Sequence, residues 1–593
     1  MRGQRLRYFA AIAAIVLWTL FVCLVPLVSR ATIDSVIEGR PLDAPPFVLR
    51  MLDGLGGMSI VARNLWIASA AIVVLTALAG LFMYFKGRWS ATASESISRN
   101  LRDRLYDHLQ HLPCRYHDRA ETGDILQRCS SDVETFREFL SVQVVEVGRA
   151  LIMISLALAV MLSLDVNMTL VSMILLPPIF IFSSVFFVKV RAAFLKVDEA
   201  EAAMTTVLQE NLTGIRVVRS FSRMDFEIEK FARRNAAHRE LRLRLIHLLA
   251  LYWGLSDILS LVQIGLVLVV GGAWLVGGGL TVGTLFAFVT YVGLFLWPVR
   301  QMGRILTDLG RATVALGRIQ EVLDQTAETG PDRPAPEIPQ VRGEIVAEGL
   351  TFSYGDSTPV LKDVSLRIMA GKTVAFLGPS GSGKSTFIQL LLRLYDYRTG
   401  SIRIDGVELA SLDRKALRSK FGVVLQEPFL YSRSIRENIR LGDPGIPDPE
   451  LEEAARTACI HDAITAFDQG YETVIGERGV TLSGGQRQRM AIARALVLDP
   501  AVLILDDALS AVDTRTEAMI QKALHERGSR QTTILISHRL TTLQKADWVY
   551  VFEKGVITQS GTPDMLRGQD GLYRRLWKIQ SEIEGELKAM EEG

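Results

Sequence analysis

Six apolar runs fill the first half of the chain, at roughly 9–28, 65–85, 142–164, 168–188, 248–276 and 284–303. Each is close to the about 20 residues that a helix needs to cross a hydrocarbon core. Each therefore predicts a membrane-spanning helix. The short connections at Asp165-Val166-Asn167 and around Gly277-Gly278-Gly279 carry no Lys or Arg. The stretch from Lys86 to about Leu140 instead carries Arg99, Arg102, Arg104, Arg115, Arg119 and Arg128. Excess basic charge marks the cytoplasmic side, so 86–141 and 189–247 are expected inside and 29–64 forms the main external connection. Pro177-Pro178 predicts a kink in the fourth span, which neighbouring helices can accommodate. Arg2, Arg5 and Arg7 before the first run resemble a signal peptide. That run is long enough to span and no small-residue cleavage pattern follows it. It reads as a first span with its N-terminus inside.

Both intracellular segments keep a helical period, as at Leu101, Leu105, Leu109 and Leu112. The spans are expected to continue below the membrane as helical legs, turning near Tyr116–Gly123 and near Asn211–Gly214. The pattern then breaks. Four prolines between Pro331 and Pro339 exclude a helix interior and predict a linker over 326–340. Beyond it, short β-branched runs alternate with helical ones. Val374–Leu377, Val502–Leu505 and Thr533–Ile536 read as buried parallel strands of an α/β domain. The expected organisation is a membrane domain over 1–325, an α/β domain over 341–580 and a solvated tail over 581–593.

Composition adds little to this picture. The chain of 593 residues is 49% hydrophobic, with a mean hydropathy of +0.24, the excess lying before residue 305. A net charge of +2 gives no global attraction to nucleic acid. Cys23, Cys114, Cys129 and Cys459 fall in a span or in segments placed inside, so no disulfide framework is expected.

The chemistry sits in the second half. Gly378-Pro379-Ser380-Gly381-Ser382-Gly383-Lys384-Ser385-Thr386 fits the phosphate-binding loop, with a strand before it and a helix after it. Glycines at Gly378, Gly381 and Gly383 let backbone N–H groups close around phosphates, and the helix N-terminus adds its dipole. Lys384 is expected on the β- and γ-phosphates of ATP and Ser385 on Mg²⁺. Asp506, ending an apolar strand, is expected to hold the metal or its water. Further on, Leu482-Ser483-Gly484-Gly485-Gln486 opens another helix and forms a second anion site.

From about 345 to 575 these motifs resemble the nucleotide-binding domain of ABC ATPases, and six spans ahead of one such domain resemble an ABC exporter half-transporter. The resemblance implies that ATP is sandwiched between two domains, with Ser483, Gly484, Gly485 and Gln486 covering nucleotide held by the opposite one. It implies that Tyr354 stacks on adenine, that Gln426 in Leu425-Gln426-Glu427-Pro428 senses Mg²⁺, and that His538 contacts the γ-phosphate. Ser510-Ala511-Val512-Asp513 is similar to the loop joining the two sites. Thr473-Val474-Ile475-Gly476-Glu477-Arg478-Gly479 is similar to the segment before the signature. Tyr116, His117 and Asp118 resemble the first coupling helix region, and Asn211, Leu212, Thr213 and Gly214 the second. The implied setting is a bacterial inner (plasma) membrane with the ATPase domain in the cytoplasm, and a second half-transporter as partner.

One residue departs from the pattern. Asp507 stands where the family carries the glutamate that activates water. A base must lie within hydrogen-bond reach of that water. Removing a methylene withdraws the carboxylate by roughly 1.5 Å, and misplacement of about 1 Å can cost about 10²-fold. The expectation is a site that binds ATP and hydrolyses it slowly, in a heterodimer whose partner carries the glutamate; the alternative is a homodimer with a slow aspartate base. The expected activity is ATP-driven export of a hydrophobic or amphipathic compound by alternating access. A lipid flippase or an exporter-fold siderophore importer is the alternative within transport; a nucleotide-gated channel or regulatory ATPase is the alternative outside it.

Three further signals are weaker. His108, His111, Cys114 and His117 recur every three residues, a spacing that drifts around a helix, so no metal site is expected. Asp257 and Gln263 lie within a span, where polar groups face a cavity or a partner; a cavity-lining and a structural hydrogen-bonding role are both open. Glu146 and Arg149, three apart, are expected to pair.

Overall fold

A computed structural model describes residues 4–40, 64–328, 341–355, 358–443, 445–476, 482–527 and 531–579. The Pro-rich linker beyond Glu328, the tail, most of the external connection and Glu477–Gly479 lie outside these. The chain divides into two units, one of Met1–His111 with Ala120–Thr326, the other of Leu112–Arg119 with Ala327–Gly593.

In the first unit six helices are long and apolar enough to cross a membrane: Arg5–Val36, Trp66–Gln110, Thr122–Leu164, Val166–Thr213, Met224–Val276 and Val282–Gln301. The helices used below are α1 (Arg5–Ala31), α2 (Trp66–Gln110), α4 (Val144–Leu164), α5 (Val166–Met173), α6 (Leu176–Thr213), α7 (Ile215–Ser220), α8 (Met224–Val276) and α9 (Val282–Leu323) of this unit, with α3 (Cys114–Arg119) belonging to the second. At about 1.5 Å per residue, the 53 residues of α8 run about 80 Å, far beyond a hydrocarbon core of about 30 Å. The helical legs are real. Their turns are short helices: α3, which contains Tyr116, His117 and Asp118, and α7, entered through Gly214 after α6 has carried Asn211, Leu212 and Thr213.

The prolines interrupt the hydrogen bonding of the fourth span, Val166–Thr213, while Ile174 and Leu175 keep right-handed helical backbone. Helix α5 stops at Met173, and α6 starts at Leu176 with both prolines in its first turn. A proline there lacks an N–H that had no helical partner anyway. The interruption frees backbone groups at membrane depth, where each must be satisfied. Gln263 of α8, fully buried, does this: Leu175 N–H donates to its Oε1 at 3.2 Å, and its Nε2 donates to the carbonyls of Ser172 (2.9 Å) and Val171 (3.2 Å). Gln263→Leu is expected to lower stability by about 1–3 kcal/mol, read as a drop in the thermal unfolding midpoint in detergent; an unchanged midpoint would remove this role from the side chain.

The second unit holds two sheets. Strands β1 (Ile345–Phe352), β2 (Leu361–Ile368), β4 (Thr399–Ile404) and β5 (Val407–Glu408) pair antiparallel in the order β2-β1-β4-β5. The other sheet runs β10-β9-β3-β8-β7-β6, from β3 (Thr373–Leu377), β6 (Phe421–Val424), β7 (Val502–Asp506), β8 (Thr532–Ile536), β9 (Trp548–Glu553) and β10 (Val556–Gly561). Its five strands β9, β3, β8, β7 and β6 are parallel. Every residue of β7 and β8 is buried, as strands covered on both faces require. The three apolar runs marked in the sequence thus lie side by side at its centre. Helices α10 (Lys384–Leu391), α11 (Gly484–Leu496) and α12 (Thr514–Glu526) complete the elements around the site.

Candidate nucleotide site

Parallel strands end together, and their C-terminal ends are where ligands bind in such sheets. Strand β3 runs directly into the phosphate loop. Gly378 has φ +156°, and a Cβ there would sit 2.1 Å from the Phe552 carbonyl oxygen; Gly383, which begins α10, has φ +104° and no room for a side chain against Leu361. Only glycine fits either position. Ser380, Gly381 and Ser385 are exposed along this loop, while Thr386 is buried. Lys384 is buried, its ammonium donating to the carbonyls of Gly378 (2.6 Å) and Pro379 (2.9 Å) and to the Ser382 hydroxyl (3.3 Å).

Adjacent strands bring the acids to the same edge. The Ser385 hydroxyl donates to Asp506 Oδ2 at 3.0 Å. Burial pushes the Asp506 carboxyl upward, against the Ser385 hydrogen bond, and the neighbouring Asp507 pushes the same way. Burial lowers the Lys384 ammonium, opposed by both aspartates. A hydroxyl and a buried carboxylate in contact, beside a lysine and a glycine cradle, form an oxygen donor set of the kind Mg²⁺ takes with nucleotide phosphates. Ser385 and Asp506 would hold the ion, and bound there it would supply positive charge against the phosphate oxygens.

Asp507 adopts left-handed backbone at φ +48°, its N–H donating to the Ile536 carbonyl at 2.9 Å. Aspartate tolerates that conformation better than longer residues do. His538 follows β8 by two residues and is exposed. Strand β6 pairs Val424 with Leu505, so the exposed Gln426 follows the strand end neighbouring the one that carries Asp506 and Asp507. Tyr354 donates to Gln389 Oε1 (2.5 Å) and accepts from the Thr386 hydroxyl (3.2 Å), and its ring meets those of Phe352 and Tyr395 edge-on. A cavity of about 700 Å³ adjoins Tyr354, and its wall includes Asp118 and Arg119 of α3, with Tyr395 donating to the Asp118 carboxylate. Tyr354, the adenine candidate, and Asp118, one of the first coupling residues, therefore border one cavity.

The signature residues form a separate group. Ser483 caps α11, accepting from the Gln486 N–H at 3.2 Å, while the Gln486 side chain accepts from the Ser483 N–H at 2.9 Å. This capping box leaves the Ser483 hydroxyl proton for a phosphate oxygen. Among the described residues no hydrogen bond joins this group to the phosphate loop. Its contacts go to Ser510–Asp513: a Cβ on Gly485 would lie 2.8 Å from the Ala511 carbonyl.

Three residues carry no motif of their own in the sequence, two at this junction and one beside Tyr354. Gln488, buried on α11, donates to Ser510 Oγ (2.9 Å) and accepts from the Ala511 N–H (2.8 Å). Arg539, beside His538, donates to the Ser510 carbonyl (2.6 Å) and to the buried Glu517 of α12 (2.6 Å). Gln389 meets Tyr354 from one helical turn beyond Thr386, the only periodic hint that it shares that face. Gln488→Ala is expected to slow ATP turnover by about tenfold through displacement of Ser510–Asp513, with ATP affinity retained. Phosphate release and equilibrium nucleotide binding measure the two; an equal loss in both would contradict a positioning role.

In the first unit, Gln263 is committed to the interrupted span. Asp257 is exposed and pairs with Arg300 at 2.6 Å. Glu146 accepts from Arg149 Nε at 2.8 Å, the pairing their spacing predicts. Among the described residues there is no group of three or more His, Cys, Asp or Glu able to hold a metal.

Comparison with known proteins gives matches along nearly the whole chain. Residues 8–299 match the ABC transporter transmembrane region and residues 361–510 the ABC transporter domain. The Bacillus subtilis protein YknU, described as an uncharacterized ABC transporter ATP-binding protein, is 35% identical over 571 residues, 96% of this chain and 94% of its own. A putative multidrug export ATP-binding/permease protein of Staphylococcus aureus is 35% identical over 584 residues, 98% of each chain. The structure of a bacterial Atm1-family ABC exporter with ATP bound superposes with a TM-score of 0.79 at 26% identity, covering 98% of each chain.

Proposed function

We propose, from the premise that this chain belongs to the ABC transporter family as an exporter-type half-transporter coupling ATP hydrolysis to transport, that it is the slow-site subunit of a heterodimeric exporter. One observation carries the reading. Lys384, Ser385 and Asp506 form a complete binding set, while the position of the base holds Asp507. Binding and hydrolysis are thereby uncoupled in this chain's own site. Its signature group faces a different way, towards Ser510–Asp513, and would complete the site of a partner with glutamate at that position. Exposed apolar residues around α7, among them Val217, Phe221 and Phe226, offer further surface to a second half-transporter.

In this scheme ATP at both sites closes the ATPase domains, the coupling helices carry that closure to the spans, and the transport path opens outward. The cargo in this reading is a hydrophobic or amphipathic compound taken from the cytoplasm or inner leaflet, a reading supported by relatives named as putative multidrug export proteins. Purified alone, the chain is expected to hydrolyse ATP very slowly. Assembled with its partner, it is expected to support rapid turnover and to retain ATP in its own site while the other cycles. Turnover by the single chain at the rate of the assembled complex, or ADP at both sites after filtration, would overturn the heterodimer.

A further inference from the structure

Among the spans lies a cavity of about 230 Å³ between α1, α4 and α9. We infer that the cavity between Trp18, Arg149 and Trp297 binds the anionic head of an amphiphile, a phosphate or carboxylate, so that the compound handled is acidic rather than a lipophilic cation. This rests on the transport reading above and names the class of its cargo.

A charged side chain within a span is costly and marks a functional site. Arg149 is such a residue, and its charge is only partly answered. Its Nε and Nη2 both donate to the same oxygen, Glu146 Oε2, and among the described residues Nη1 meets no protein acceptor. The other Glu146 oxygen faces Lys86 at 3.8 Å. Two cations against one carboxylate leave a surplus positive charge. The cavity wall includes Arg149 and not Glu146, so a ligand meets the cation.

The rest of the wall agrees. The guanidinium lies 4.6 Å from the Trp297 ring centroid and 5.5 Å from that of Trp18. Those contacts draw on its charge and leave N–H donors over. Indole N–H groups only donate, and neither Trp18 nor Trp297 uses its own on a protein acceptor among the described residues. Donors and surplus charge suit an anion. Pro298 adds one acceptor: it has no N–H for the Leu294 carbonyl, which would take a P–OH or hydroxyl of the same head. The volume decides between a head and a whole compound. Pockets for drug-sized ligands run about 300–1,000 Å³, so this one takes a head group, with a tail leaving past Val22 and Met153.

The test is binding by the purified, assembled transporter in phosphatidylcholine nanodiscs without nucleotide. Dodecyl phosphate and dodecyltrimethylammonium are the probes and tryptophan fluorescence the readout. Wild type is expected to prefer dodecyl phosphate. Arg149→Gln should weaken that probe by about 10- to 100-fold and leave the cation unaffected. Glu146→Gln, which frees the guanidinium, should tighten the phosphate probe several-fold, a gain no folding defect produces. Indifference of the phosphate probe to Arg149→Gln, weakening by Glu146→Gln, or preference for the cation would each overturn the site. Discs containing phosphatidylglycerol separate two sources of the same chemistry: competition with the probe assigns the site to a bilayer lipid, and its absence to a free amphiphile. Binding as expected without ATP-driven flux would sink the transport reading and leave the site standing.

Discussion

Gly484→Asp in this chain is expected to reduce the steady-state ATPase activity of the assembled transporter by about 100-fold or more. Gly484 begins α11 beside the Ser483 cap, where free backbone N–H groups favour an anion. A carboxylate there would repel the γ-phosphate of the partner's ATP and occupy its donors, and loss of a single such donor costs about 10²–10³-fold. The fold should survive the change, because a Cβ on Gly484 meets only Ala511 Cβ at an ordinary 3.5 Å. Gly485 is a poorer choice: its Cβ would press on the Ala511 carbonyl at 2.8 Å and mix local distortion into the result. Asp507→Asn is expected to lower the same activity only modestly, since it removes a base that is already withdrawn. Phosphate release at saturating ATP ranks the two variants. Near-abolition by Asp507→Asn together with tolerance of Gly484→Asp would assign the working carboxylate to this chain.

Asp507→Glu is expected to act in the opposite direction, turning the retained ATP of this site into ADP about 10- to 100-fold faster. The added methylene restores the reach of the carboxylate. Against it stands the left-handed backbone at φ +48°, which costs a longer side chain about 1–2 kcal/mol. A 100-fold gain corresponds to about 2.7 kcal/mol, so reach outweighs strain. Single-turnover hydrolysis of nucleotide trapped in this site is the measurement. An unchanged rate would show that something other than carboxylate reach limits the site.

Much of this was legible in the sequence because it rests on local rules. Six apolar runs of spanning length lie within the six long helices, and three β-branched runs became three adjacent buried strands. What the runs could not convey was a pairing across the chain. Pro177-Pro178 marks the irregular turn of the fourth span by itself; that Gln263, about ninety residues away, satisfies the backbone groups freed there is a pairing no local pattern encodes. Asp257 and Gln263 look alike in one dimension, two polar residues on one span. In three, one is exposed beside Arg300 and the other sealed against backbone. The phosphate loop, with its fixed spacing, announced itself. Gln488 and Arg539 did not, since each acts through a loop carbonyl, hydroxyl or N–H whose position no spacing encodes.

Those two side chains both hold Ser510–Ala511, Gln488 from the helix that would face the partner's nucleotide and Arg539 from beside the histidine of this chain's own site. A segment bonded to both elements transmits free energy in both directions. If ATP on the partner's side favours one arrangement of that segment, the arrangement must in turn favour ATP there, by thermodynamic reciprocity. A site that seldom hydrolyses would then serve as a standing effector, its long-held nucleotide setting the affinity with which the faster site loads and releases its own.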